Sequence, residues 1–236
     1  MIMGSKLHII CITSRASSLR ANILRSGYVY DIKMIKASRM PAGREVRIGE
    51  LEAIIRMCRD DKHEATAWRD IAVVGLLYIC GLRRFEVASV DIEQLSLDDS
   101  RIAIIGKGDK ERYAYLDPGC KTAVERWLTY RQSEEGPLFL PVNKGGVVQF
   151  TGRVSDQTIY NIIKKRQKQA KVQSCSPHDF RRSFGTELLR QGIDLPTVQR
   201  LMGHADPATT ARYDVRQWEE DKAATRGLHL PVGGLD

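Results

Sequence analysis

A tyrosine can attack a phosphodiester, but its phenol ionises only near pH ~10, so the developing charge must be met by fixed cations. The stretch GHADPATTARY, residues 203–213, holds such a tyrosine, Tyr213, about two helical turns beyond His204. Gly203 reads as the stop of the helix LPTVQRLM, His204 as part of the connecting turn, and Asp206 with Pro207 as the cap of the next helix. Upstream, SPHDFRR sets Ser176 as an N-cap and Pro177 at the first helical position. His178 and Arg181 are then i, i+3, side by side near the positive end of that helix, with Phe180 and Phe184 toward the core. That pair suits a phosphate. Taken singly, each feature has a plainer reading: a tyrosine at a helix end is usually packing, and an exposed arginine is usually solvated.

Two earlier segments add cations. CGLRRFEVASVD places Arg83 just after a glycine helix stop, with Glu86 three residues on to orient it. IGKGDKERYAYL is a hairpin whose tip offers Lys107 and Lys110; such lysines either solubilise an edge or reach into a groove. In DQTIYNIIKKRQKQA, Ile159, Ile162 and Ile163 mark a buried face, and Asn161, Lys164, Lys165 and Lys168 recur on the opposite one. That polar face is either solvated or laid along DNA, with lysines on phosphates and Asn161 near base edges.

These residues must be carried by a mainly helical α+β domain. RIGELEAIIRMCRD has Leu51, Ile54, Ile55 and Cys58 at helical spacing, and ATAWRDIAVVGLLYICG reads as a buried helix stopped by Gly81. A short helix begins near Arg83. EQLSL, RIAIIG and ERYAYL alternate as strands of a small three-stranded antiparallel sheet, and helices resume after Asp117–Pro118.

Composition narrows the class. The 236 residues, 42% hydrophobic and 28% charged, fit a folded globular chain without internal repeats. The net charge of +8 favours an anionic partner. Between Arg153 and Arg182 eight basic residues face two acidic ones, so the excess is concentrated there. Five scattered cysteines, Cys11, Cys58, Cys80, Cys120 and Cys175, lack metal-site spacing and read as buried thiols of a cytoplasmic protein. LHIICI, residues 7–12, is too short to span a bilayer, and neither membrane insertion nor export is expected.

CGLRRFEVASVD, IGKGDKERYAYLD, SPHDFRRSFGTELLRQG and LMGHADPATTARYD, in this order and at these separations, resemble the catalytic domain of the tyrosine recombinases, the phage-integrase family of site-specific DNA recombinases. The resemblance runs from about Arg44 to Arg216, some three quarters of the chain. It implies that Arg83 and Arg181 clamp the scissile phosphate, and that Lys107, with Lys110 the poorer match, protonates the leaving 5′ oxygen. It further implies that His178 and His204 assist proton transfer and stabilise the transition state, that Glu86 is the structural acid beside the first arginine, and that Tyr213 is the nucleophile. A phosphodiester passing through a pentacoordinate state needs positive charge on its equatorial oxygens and an acid for the leaving alkoxide, which this set supplies without metal or organic cofactor. The product is a 3′-phosphotyrosyl intermediate that another 5′ hydroxyl can reseal.

The resemblance also implies double-stranded DNA as partner, a homo-tetramer on paired sites, and accessory DNA-bending proteins as possible helpers. Family members carry a separate core-binding domain ahead of the catalytic one; here residues 1–43 read as a truncated remnant with its linker, 44–216 as the catalytic domain, and 217–236 as a tail for protomer contacts. Two other readings stay open: a non-catalytic DNA-binding remnant, and a type IB topoisomerase, whose pattern the motifs match less closely.

Overall fold

The computed structural model describes residues 43–105, 111–132, 135–204 and 209–210. Lys107, Lys110 and Tyr213 lie outside the described residues, as do Cys11 and nearly all of the segments assigned to a domain remnant and a tail. Among the described residues seven α-helices occur: α1 (Ile48–Arg59), α2 (Glu64–Tyr78), α3 (Arg84–Ser89), α4 (Pro118–Arg131), α5 (Asp156–Ala170), α6 (Pro177–Arg190) and α7 (Leu195–Met202). The strands β1 (Leu95–Ser96), β2 (Arg101–Ile105) and β3 (Glu111–Tyr115) form one antiparallel sheet in the order β1-β2-β3. This is the expected mainly helical α+β domain. The EQLSL segment is strand only at Leu95–Ser96, because Ile92–Gln94 form a 3₁₀ turn instead.

Helix α2 is the central element, packed against α1, α4 and α6. Its apolar surface, with Leu76 and Leu77 wholly buried, joins Trp127, Phe139, Ile159, Ile163 and Phe180 in one core. Trp127 satisfies its indole N–H on the Leu138 carbonyl at 2.7 Å. Past the end of α2, Gly81 takes the left-handed conformation at φ +59°, and the Leu82 N–H donates back to the Leu76 carbonyl at 3.2 Å. A Cβ at Gly81 would also stand 2.2 Å from the Phe184 ring. Glycine is thus required twice over at the point where the chain turns toward Arg83.

The sheet presents one face to this core. Ile102 pairs with Ala114 and Ile104 with Arg112, and Ile102, Ile104 and Ala114 are buried. Period-two alternation therefore aims Arg112 inward with them. Helix α5 begins at the Ser155 N-cap, which accepts from the Thr158 N–H at 3.1 Å, and buries Ile159, Ile162 and Ile163 as expected. Arg166 lies on the same stripe and is fully buried, its Nε 2.7 Å from Asp70 and its Nη2 2.8 Å from Asp61. Arg181 and Arg182 are buried too. Three of the eight basic residues counted between Arg153 and Arg182 are therefore internal, Arg166 and Arg181 as ion-pair partners, and the surface patch is smaller than the sequence count.

Candidate active site

Glu86 is the centre of the site. It sits on α3 with its side chain 4% exposed, and its carboxylate is surrounded by three arginines from three other positions in the chain. Arg83, the N-cap of α3, donates from Nη1 to Oε1 at 2.8 Å and from its backbone N–H to Oε2 at 2.7 Å. Arg112 on β3 donates from Nη1 to Oε1 at 3.1 Å and from Nη2 to Oε2 at 2.8 Å. Arg181 on α6 places Nη1 3.9 Å from Oε2. Burial raises the Glu86 pKa, but the Arg112 hydrogen bonds, followed by its charge, the Arg83 N–H and Arg181, outweigh that and hold the carboxyl below its usual range.

The same three arginines hold the C-terminus of α7. Three consecutive carbonyls each accept from a different one: Leu201 from Arg112 Nε at 3.2 Å, Met202 from Arg181 Nη2, and Gly203 from Arg83 Nη2 at 2.8 Å. A helix end leaves its last carbonyls unpaired and carries partial negative charge, so cations are favoured there. Gly203 at φ +62° closes the helix as expected, and the His204 N–H returns to the Gln199 carbonyl at 3.1 Å. The next residue delivered to the cluster is therefore His204.

His204 is half-buried, with Nδ1 2.8 Å from the hydroxyl of buried Thr210. Burial, then the charges of Arg181 and Arg83, lower its pKa to about 4. His178 stands at the exposed edge of α6, and partial enclosure followed by Arg181 pushes its basicity down as well. Both imidazoles are neutral near pH 7 and can take a proton. Helix α6 starts at Ser176, whose N–H and Oγ both donate to Asp179 Oδ2, at 2.7 and 2.8 Å. A depression of about 340 Å³ opens in front of this helix start, lined by Arg83, Arg84, Tyr160, His178 and Arg181. Among the described residues four buried thiols are free, and burial first of all pushes Cys58 up to about 12 and Cys175 to about 11, which leaves both as poor nucleophiles.

Of the described residues singled out in the sequence, Arg83, Glu86, His178, Arg181 and His204 come together. The α5 residues share one helix but make separate contacts. Lys164 donates to Ser174 Oγ at 3.0 Å and to the Cys175 carbonyl at 2.9 Å, tying α5 to the lead-in of α6. Lys165 reaches Asp61 at 3.2 Å, Asn161 accepts from Gln157 at 3.0 Å, and Lys168 is exposed. Sequence reasoning missed Arg112 and Thr210. The signal for Arg112 was present: in ERYAYL it occupies an inward position of a half-buried strand, where a charge needs a partner.

This arrangement, a depression lined by Arg83, Arg181 and His178 with His204 close enough to feel their charges, is matched by sequence comparison over the same residues. The phage integrase family model covers residues 45–219. The chain belongs to the phage integrase family. Among its relatives is the tyrosine recombinase XerC of Actinobacillus pleuropneumoniae serotype 7, 32% identical over 213 residues, covering 85% of this chain and 67% of that one. The XerC of Leptospira interrogans serogroup Icterohaemorrhagiae serovar copenhageni is 30% identical over 214 residues, covering 89% and 67%. The crystal structure of XerA recombinase superimposes with a TM-score of 0.64 at 28% identity, over 81% of this chain and 66% of that one. XerH site-specific recombinase, bound to palindromic difH substrate in a post-cleavage complex, shares the fold at 22% identity, with a TM-score of 0.62 over 84% and 59%. The chain thus spans about two thirds of the length of the XerC relatives. By family it is a tyrosine recombinase, a class of site-specific DNA strand-exchange enzymes.

Proposed function

We propose that this integrase-family chain cleaves and rejoins double-stranded DNA through Tyr213, with the Glu86-centred arginine cluster as its phosphate site. The observation that carries this reading is the convergence of Arg83, Arg181 and His178 on one solvent-open depression, with His204 within reach of the charges of all three. In the proposed step the Tyr213 oxygen bonds to phosphorus and the bond to the 5′ oxygen breaks. A neutral imidazole takes the phenolic proton, and Lys107 supplies the proton that the 5′ alkoxide needs. Arg83 and Arg181 meet the charge on the non-bridging oxygens. Resealing by a different 5′ hydroxyl exchanges strands.

Asn161, Lys164, Lys165 and Lys168 are proposed DNA contacts, with Lys165 and Lys168 exposed. Four protomers on two paired sites form the proposed assembly, with the tail 217–236 between protomers, residues 1–43 as the end of a core-binding region, DNA-bending proteins as helpers, and the cytoplasm as the compartment. Among the described residues no helix is long and apolar enough to cross a membrane.

Trapping tests the reading. The protein is incubated with a random pool of nicked duplexes, which lose the short fragment beyond the nick and so cannot reseal, and denaturing gels are scanned for a protein–DNA adduct. An adduct present in the wild type and absent in Tyr213→Phe supports strand cleavage. DNA binding without any adduct favours a non-catalytic DNA-binding chain.

A further inference from the structure

Arg112 does not line the depression before α6, yet its Nε, Nη1 and Nη2 are all engaged within the cluster. Its side chain is 10% exposed. The guanidinium fork spans both Glu86 oxygens, at 3.1 and 2.8 Å, while Nε holds the Leu201 carbonyl at 3.2 Å. The stem lies against the turn before His204: a Cβ at Gly203 would stand 3.0 Å from Arg112 Cδ and Nε. One side chain therefore joins the sheet to the start of α3, which supplies Arg83 and Glu86, and to the end of α7, which leads into His204.

The charge arithmetic gives this contact a purpose. Glu86 has two oxygens, and Arg83 and Arg112 share both of them. With Arg112 in place, half of the carboxylate's bonding capacity is taken by a cation that lies outside the depression and is also committed to the Leu201 carbonyl. Without it, Arg83 and Arg181 are the remaining cations around a buried carboxylate, and electrostatics draws them onto it and away from an incoming phosphate. A lysine cannot substitute, since it lacks the planar fork and the third, sideways donor.

We propose that Arg112 is a positioning residue for catalysis, which keeps Arg83 and Arg181 available to the scissile phosphate and fixes the turn that carries His204. The role rests on the strand-cleavage reading above and is tested with it. Single-turnover cleavage is measured on a nicked duplex recovered by trapping, for wild type, Arg112→Ala, Arg112→Lys and Lys107→Ala, at a temperature where circular dichroism shows every variant folded. A second duplex carries sulfur in place of the bridging 5′ oxygen, a leaving group that departs without an acid.

Arg112→Ala is expected to slow cleavage at saturating DNA by roughly tenfold to a hundredfold, by analogy with the loss of a partner that orients a metal ligand, with DNA affinity unchanged. Arg112→Lys is expected to recover melting temperature but little of the rate. The sulfur duplex is expected to restore Lys107→Ala and to leave Arg112→Ala slow. No adduct from the wild type overturns the cleavage reading and this role with it. Cleavage by the wild type with an unimpaired Arg112→Ala, a rate that returns along with stability in Arg112→Lys, or rescue of Arg112→Ala by sulfur overturns the positioning role alone.

Discussion

Arg83 and Glu86 are joined twice, by an Nη1–Oε1 bond of 2.8 Å and by the Arg83 backbone N–H to Oε2 at 2.7 Å. The second bond makes Glu86 the N-terminal cap partner of its own helix, so the residue that orients the arginine also starts the helix that positions it. Ion pairing and capping are the work of one carboxylate, and the cluster cannot form without α3.

Removing that charge should expose the dependence. Glu86→Gln leaves three arginines facing one another around a neutral amide, and breaking a buried charge pair on one side costs about 3 to 5 kcal/mol. Urea unfolding should show a loss of that order, with the slope of the transition unchanged. A loss below about 1 kcal/mol would mean that solvent reaches the cluster far more than a side chain 4% exposed allows.

The depressed imidazoles set a pH dependence. His204 takes its proton near pH 6.5 when unfolded and near 4 when folded, so between those values the unfolded chain binds more protons and stability falls as pH falls. Glu86, held below its ordinary value of 4.5, adds a further loss as pH drops through and below that value. Chemical unfolding from pH 7 to 4 should show the decline, and His204→Gln should flatten it. An identical slope in the variant would remove His204 from the account.

Gly81 offers a test of backbone geometry. Gly81→Ala places a side chain at φ +59° and drives its Cβ toward the Phe184 ring, and a left-handed alanine alone costs about 1 to 2 kcal/mol. The Gly81 carbonyl also accepts from Arg181 Nη1 at 2.5 Å. The variant should therefore melt earlier and cleave DNA more slowly than its folded fraction accounts for. Cleavage in proportion to the folded fraction would separate Gly81 from the phosphate site.

The helix α5 lysines should differ in their salt signature. Lys168 is exposed, so Lys168→Ala should reduce the slope of log affinity against log salt by about 0.9 if it meets one phosphate. Lys164 is engaged with the Cys175 carbonyl and Lys165 with Asp61, and their alanine variants should change the slope less. Equal effects from all three would restore the continuous DNA-facing row that sequence spacing alone suggests.

Much of this was legible in the sequence because it is local. The limits of α5, the Ser176 cap of α6 and the Gly203 stop of α7 follow from spacing and cap chemistry within a few residues. What was not legible is long-range. Arg112 meets Glu86 across 26 positions, and Arg166 meets Asp70 across 96; both look like surface charge until the strand register or helix stripe places them inward. Sequence also gave no means of seeing that three successive carbonyls of α7 would each be taken by a different arginine. That arrangement depends on three elements meeting at one helix end.

The most direct test of the account is the identity of the bond between protein and DNA. Trypsin cuts after Arg212 and Arg216, so Tyr213 is released on the four-residue peptide Tyr213–Arg216. Mass spectrometry of a trapped, nuclease-digested adduct should find this peptide carrying a nucleotide through its 3′ phosphate, with a free 5′ hydroxyl on the departing strand. A nucleotide on any other residue, or linkage through a 5′ phosphate, would contradict the assignment of Tyr213 and the chemistry built around it.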